Sequence, residues 1–412
     1  MNRIKLKNIA IVIAGQSPES KYYNFQERGL PFLQGNRTFG SLYPKIDTWT
    51  EKVTKIADEG NVLISVRAPV GDLNISNKIL CIGRGLASIS AKNKDNRFVF
   101  YALKHNIKSL IASSSGTTFS SINKNDLEEL KLVIPIRESD RILVSNILSM
   151  LDDKIQLNNQ INTELEAMAK TLYDYWFVQF DFPFDFAQGK PNVEGKPYKS
   201  AGGEMVYDAV LKREIPKGWE VKKLDFFEMY QPKTISEKEM VVDGEYFVFG
   251  ANGIVGKYDK FNHENSEIVV TCRGSNCGNI IRTLPFSWIT GNAMVITSNN
   301  KSISSEFIYQ TLQWVGISKI ISGSGQPQIT RTNLETLDFI LPDTNLIEKF
   351  TEVISSSVQK KYSLYKQNQE LASLRDWLLP MLMNGQVRVG ESHGQGLGLV
   401  AEESGEYKKG KE

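Results

Sequence analysis

The sequence predicts an α+β fold written twice. It comprises two similar mixed α/β domains, each followed by a long helix, with the two helices packing as an antiparallel coiled coil of pseudo-two-fold symmetry. Three observations predict it. The segments Ile122-Asn-Lys-Asn-Asp-Leu-Glu-Glu-Leu-Lys-Leu-Val-Ile-Pro135 and Ile329-Thr-Arg-Thr-Asn-Leu-Glu-Thr-Leu-Asp-Phe-Ile-Leu-Pro342 share Ile, Leu, Glu, Leu and Pro at an offset of 207, from 122 to 329. A turn rich in Gly, Ser and Thr precedes each copy. Residues 138–177 lose nearly all Gly and Pro and carry apolar side chains at alternating steps of three and four, and 343–384 repeats that spacing.

The bulk numbers set the class. A chain of 412 residues suffices for two or three domains. Hydrophobic content of 41% and charged content of 23% are those of an ordinary soluble globular protein. A net charge of +2 excludes a polycation, so binding to nucleic acid requires local clusters of Lys and Arg or a partner that adds charge. The three cysteines, Cys81, Cys272 and Cys277, are too few and odd in number for a disulfide framework, which points to a reducing, cytoplasmic compartment. The apolar run Ile9–Ala14 is too short for a signal peptide and lacks a small-residue cleavage site. No run approaches the ~18 apolar residues of a membrane span.

Taken in order, residues 1–136 form the first domain, with strands at Asn61–Arg67 and Lys131–Pro135 and a helix over Phe98–Ile111. Residues 137–180 form the central long helix. Its seam runs through Ile147, Leu151, Ile161, Leu165, Met168, Leu172 and Tyr175, with Lys154 and Asn158 in the intervening slots. At ~1.5 Å per residue it spans roughly 60 Å. Residues 181–214, rich in Pro, Gly and aromatics, read as a linker. The second domain covers 215–342, where Ile268-Val-Val-Thr-Cys-Arg273 echoes Val62-Leu-Ile-Ser-Val-Arg67. The distal long helix covers 343–388, with Leu371, Leu374 and Leu378 repeating Leu165, Met168 and Leu172, and Asn368 repeating Asn162. The tail, 389–412, is Gly- and charge-rich and is expected to be disordered.

Two helices with matching seams pack most simply on each other. Because each follows its own domain, an antiparallel pairing places the domains at opposite ends. Asn158, Asn162 and Asn368 either fix the register at some cost in stability or face water.

The search for catalytic chemistry is negative. There is no Gly-x-x-x-x-Gly-Lys-Ser/Thr loop, and Gly253-Ile-Val-Gly256-Lys257 is too short for one and reads as a turn. Neither a Gly-x-Gly-x-x-Gly fingerprint nor the Asp/Asn-Pro-Pro-Tyr/Phe signature of adenine methyltransferases occurs. Cys272 and Cys277 have no His cluster beside them and do not match a zinc site. His105, His263 and His393 form no catalytic set. Asp152-Asp153-Lys154 reads as a solvated helix face.

Binding remains. Polar amides, hydroxyls, basic residues and aromatics interleave in Gln34-Gly-Asn-Arg37-Thr-Phe39, Ser113-Ser-Ser-Gly-Thr-Thr-Phe119, Asn252-Gly-Ile-Val-Gly-Lys257-Tyr258 and Ser324-Gly-Gln-Pro-Gln328. Arg, Lys, Asn and Gln pair with base edges, while Ser, Thr and Gly loops offer hydroxyls and N–H groups to phosphates. Plain turns use the same residues, so each loop alone also reads as structural.

The duplication, together with Leu172-Tyr-Asp-Tyr-Trp-Phe-Val-Gln-Phe-Asp181, Lys199-Ser-Ala-Gly-Gly-Glu-Met205 and Ile215-Pro-Lys-Gly-Trp-Glu-Val-Lys-Lys-Leu224, resembles the specificity subunit of Type I restriction-modification systems. The resemblance covers nearly the whole chain except the tail. It implies that each domain is a target-recognition domain reading one half of a bipartite site in double-stranded DNA. It implies that the helices set the spacing and dock two methyltransferase subunits, and that two motor-nuclease subunits complete the restriction enzyme. It also implies that this chain is not itself an enzyme and binds no cofactor, S-adenosylmethionine belonging to the partners.

The two halves of such a chain read different sequences, which sorts the candidates. Residues shared by both copies are expected to contact phosphate or serve as framework: Arg67 with Arg273, and Lys124 with Arg331, joined by Thr117 and Thr118. Residues that differ are expected to read bases: Gln34, Asn36 and Arg37 in the first half, and Asn252, Lys257, Gln326 and Gln328 in the second. The competing reading is a coiled-coil structural or assembly protein without DNA readout.

Overall fold

The computed structural model describes residues 2–113, 121–183, 197–242, 244–274, 276–323, 325–391 and 397–401. The chain divides into two compact units, Met1–Asn158 with Lys366–Glu412, and Asn159–Tyr365.

In the first unit, a four-stranded sheet runs in the order Ala10–Ala14, Leu86–Ala91, Val62–Ser65, Leu73–Ile75, antiparallel throughout. All of Val62–Ser65 is buried, as expected of an interior strand covered on both faces, whereas the edge strand Ala10–Ala14 exposes three of its five residues. One face packs on the helix Asn96–Ser113 through Phe98, Tyr101 and Leu103, each at most 3% exposed. Burying side chains of this size contributes roughly 1.5–3 kcal/mol each. Asn2–Lys5 pairs with Lys131–Ile134 and ties the start of the domain to its last strand. A second sheet, of five short strands, sets Leu30–Leu33 parallel to Leu80–Ile82.

The second unit repeats this plan. Its four-stranded sheet runs Glu228–Tyr230, Ala293–Thr297, Ile268–Thr271, Ile280–Arg282, again antiparallel, and helix Ser305–Val315 packs with it through Phe307 and Leu312. Glu220–Lys223 pairs with Asp338–Leu341, and Tyr246–Gly250 runs parallel to Trp288–Ile289. The segment read as a turn, Gly253-Ile-Val-Gly256-Lys257, is instead most of the strand Gly253–Tyr258 in a bulged hairpin with Tyr246–Gly250.

The long helices are Glu138–Tyr173, which widens into a π turn over Asp174–Val178, and Thr344–Met383. Within the first unit, Val144 and Leu148 share a core with Leu378, Leu379 and Leu382. Arg375 pairs with Asp152 at 2.6 Å, and Asn158 Nδ2 donates to both Gln367 and Asn368 at 2.8 Å. Within the second unit, Glu166 pairs with Lys361, and the rings of Tyr173 and Phe350 lie 6.1 Å apart.

Several expectations change. Met168 is 65% exposed and Leu374 43%, whereas the predicted seam residue Leu378 is buried and Ala169 and Tyr173, outside the predicted seam, are buried too. Apolar residues at steps of three and four mark two neighbouring lines on one helix, and the polar pairs select between them. Asn158 is fully buried and hydrogen-bonded to the other helix rather than to water. Asp152, read as solvated, is 4% exposed and held by Arg375 and the Tyr101 hydroxyl.

The stretch read as a linker contributes to a core. Phe182 stacks between Tyr198 and Trp219 at 4.7 and 5.1 Å, and Met205–Asp208 pairs with Arg213–Pro216. Arg213 lies over the Phe180 ring and donates to the Val178 carbonyl, which satisfies an acceptor at the end of the central helix. In the tail expected to be disordered, Val387–Glu391 pairs with Leu397–Ala401, where Val389 opposes Leu399 and favours extended backbone. Residues 392–396 and 402–412 lie outside the described residues.

Candidate nucleic-acid interface

Four of the sequence candidates, Gln34, Arg67, Arg273 and Gln328, stand at one end of the four-stranded sheets. In the first unit the paired strands end at Ser65 and Leu86, and the Val66 N–H donates to the Gly85 carbonyl at 2.9 Å. The next residues, Arg67 and Arg84, occupy opposing positions past that last rung. Ser121 bridges to Arg67, and the Ile122 N–H donates to the Val66 carbonyl. Gln34 joins from the five-stranded sheet, where the Gly85 N–H donates to its carbonyl at 3.2 Å. Glycine is required here. A Cβ on Gly83 would lie 2.9 Å from the Gln34 Cα, and one on Gly85 2.6 Å from its oxygen.

The second unit builds the same end. The Cys272 N–H donates to the Asn292 carbonyl, the Ile329 N–H donates to the Cys272 carbonyl, and Arg273 bridges to Gln328. Arg273 therefore stands where Arg67 does, with Gly291 in the place of Arg84 and Gln328 in that of Ser121. Arg67, Arg84 and Arg273 are exposed, and no carboxylate among the described residues is ion-paired with them.

The other candidates are held in different ways. Asn36 donates to Asp72 at 2.6 Å, and Arg37 pairs with Asp47 at 2.6 Å. The Thr48 hydroxyl, together with Arg37, holds the Asp47 carboxyl below its usual range. Asn252 accepts from Asn276 at 3.2 Å, and the Lys257 ammonium lies 5.5 Å from the centre of the Phe247 ring. Gln326 is exposed, and Gln328 exchanges backbone hydrogen bonds with Ser322 in a loop strapped to Gly274 through Pro327.

Lys124 and Arg331 each open a short helix, Lys124–Glu129 capped by Asn123 and Arg331–Glu335 capped by Thr330. Each pairs with the Glu four residues on, Glu128 at 3.4 Å and Glu335 at 2.7 Å. Exposed pairs of this kind are weak, about 0.3–0.5 kcal/mol. Thr117 and Thr118 lie outside the described residues.

Arg84 and Ser17 were missed by reading the sequence. The available signal was the repeat itself, since Gly83-Arg84-Gly85 stands opposite Thr290-Gly291-Asn292 at the same offset of 207. Among the described residues no three His, Cys, Asp or Glu side chains converge as a metal site would require, and no helix is long and apolar enough to cross a membrane.

Fold and site together define a class: a tandem-duplicated protein with two equivalent loop-built polar surfaces, one per domain, and two long helices. The chain belongs to the family described as the Type I restriction modification DNA specificity domain, whose model matches residues 1–167 and 216–367. It is 26% identical to the Type I restriction enzyme MjaIX specificity subunit of Methanocaldococcus jannaschii over 94% of this chain and 93% of that one. With the putative MjaX specificity subunit of the same organism the identity is 40%, over 39% of this chain, and the match spans only 38% of that relative's length. The crystal structure of the Type I restriction-modification S subunit from M. genitalium has the same fold, with a TM-score of 0.55 at 18% identity, over 93% of this chain and 96% of that one.

Proposed function

We propose that this chain is the DNA-reading specificity subunit of a Type I restriction-modification complex, in which each domain reads one half of a bipartite site. The observation that carries this reading is the equivalence of the two sheet ends. Each presents an exposed arginine at the same place, Arg67 and Arg273, and different residues around it. A shared cation positions the backbone of DNA and differing neighbours specify its bases.

In this reading the two long helices form an antiparallel coiled coil of pseudo-two-fold symmetry that sets the distance between the half-sites, about 34 Å per helical turn of DNA. The contacts that climb one helix as they descend the other, within each unit separately, support it. The helices also dock two methyltransferase subunits. Exposed apolar side chains on the helices, Met150, Leu157 and Trp377 in one unit and Met168 and Val353 in the other, support a partner-covered surface. Two motor-nuclease subunits complete the assembly. S-adenosylmethionine is bound by the partners, this chain performs no catalytic step, and the complex works in the cytoplasm.

The test is to co-express the chain with its methyltransferase subunit and map methyladenine across the host genome. Two short sequence blocks around an unspecified gap are expected. Co-purifying subunits that methylate no motif would leave a coiled-coil assembly protein as the better reading.

A further inference from the structure

We infer that Arg84 and Gln34 together read a guanine in the block that faces the first domain. This deepens the DNA-reading role proposed above and rests on it. The backbone N–H of Arg84 donates to the Ser17 hydroxyl oxygen at 3.1 Å. The Ser17 hydroxyl donates its own hydrogen to Gln34 Oε1, also at 3.1 Å. The Tyr23 hydroxyl, which donates to the Pro18 carbonyl at 2.9 Å, lies 3.4 Å from the same oxygen. The Ser17 hydrogen bond thereby engages the Gln34 oxygen and leaves its NH2 group available to a base.

A glutamine with both ends free offers a donor and an acceptor, the pair that matches adenine. Gln34 in this setting offers its NH2 donors ahead of an oxygen that Ser17 already engages. Arg84 offers donors alone by its chemistry. Guanine carries two adjacent major-groove acceptors, N7 and O6, and is the natural target of such a surface. The placement is rigid, because Gly83 and Gly85 leave no space between the Arg84 backbone and Gln34. The neighbouring candidates Asn36 and Arg37 are already engaged by Asp72 and Asp47. In the second domain Gly291 takes the place of Arg84, so the feature belongs to one half only, as base readout requires.

The test maps methyladenine for the co-expressed complex carrying Arg84→Ala, Arg84→Lys or Ser17→Ala. The wild-type motif is expected to hold a G·C pair that both Arg84 variants relax, with preference for guanine falling roughly tenfold to a hundredfold at that position. Lysine keeps the charge but not the two-pronged donor, so it rescues a phosphate contact and fails to rescue this one. Ser17→Ala frees the Gln34 oxygen and raises tolerance of adenine. If Arg84→Lys keeps the wild-type motif, or Arg84→Ala lowers methylation evenly at all sites, the guanine assignment is overturned while the DNA-reading role stands. A wild-type complex that co-purifies and methylates no bipartite motif overturns both.

Discussion

The side-chain amide of Asn158, fully buried, donates to Oδ1 of Asn368 at 2.8 Å, joining the central and distal helices 210 residues apart in the chain. A buried amide pair costs stability relative to a pair of leucines and fixes which residues stand opposite each other. Asn158→Ala is expected to destabilise the protein by about 1–3 kcal/mol, because Asn368 loses its buried partner. Replacing both asparagines by Leu is expected to recover that loss or exceed it. Urea unfolding of the two single variants and the double variant measures the coupling, and simple additivity would show that the pair does not act as one.

Six residues along the same helix, Asp152 is held by Arg375 at 2.6 Å and by the Tyr101 hydroxyl at 2.6 Å, with 4% of its surface exposed. Removing Arg375 strands a buried carboxylate. Arg375→Met is expected to cost about 3–5 kcal/mol, and adding Asp152→Asn to restore much of it. Thermal unfolding of the single and double variants checks the order. A single variant as stable as wild type would mean that the carboxylate finds water.

The second unit has its own charged cluster, in which Glu166 contacts Lys361 and Arg282, and Arg282 also meets Glu306. Burial lowers the Lys361 ammonium from 10.5 to about 8. Between about pH 8 and 10.5 the unfolded chain holds this proton and the folded chain has released it, so stability contributed here rises with pH across that window. Urea unfolding at pH 7.5 to 10.5, comparing wild type with Lys361→Met, is expected to show that rise in wild type relative to the variant. A constant difference between the two would contradict it.

Arg67 and Arg273 occupy equivalent exposed places. Arg67→Ala is expected to weaken binding of the complex to all DNA sequences alike and to lower the slope of log affinity against log salt by about one. Competition titrations on matched and mismatched duplexes at several salt concentrations measure both. A loss confined to one base pair would move Arg67 from positioning to readout.

Much of this architecture is legible in the chain because duplication is a long-range signal carried by local residues. The helix start at Lys124 and its copy at Arg331 sit at matching places with matching caps, Asn123 and Thr330. Contacts between distant segments are harder to read. Asp152 looks solvated until Arg375, 223 residues away, is placed beside it. The closeness of Arg84 to Gln34 leaves no mark in the sequence, because it arises only when parallel pairing of Phe32 with Cys81 brings Gln34 against Gly83. Phe182 and Tyr198 look like linker residues because stacking on Trp219 leaves no periodic trace. The exposed loop residues Gln34, Arg84 and Gln326 obey no period at all.

A domain exchange separates the two halves of the proposed reader. Residues 1–136 are replaced by the equivalent domain of a relative with a different methylation motif, and methyladenine is mapped for the complex. One block of the motif is expected to change to that of the donor, while the other block and the gap between them stay as they were. A motif changed in both blocks, or in neither, would contradict the claim that each domain reads its own half of the site.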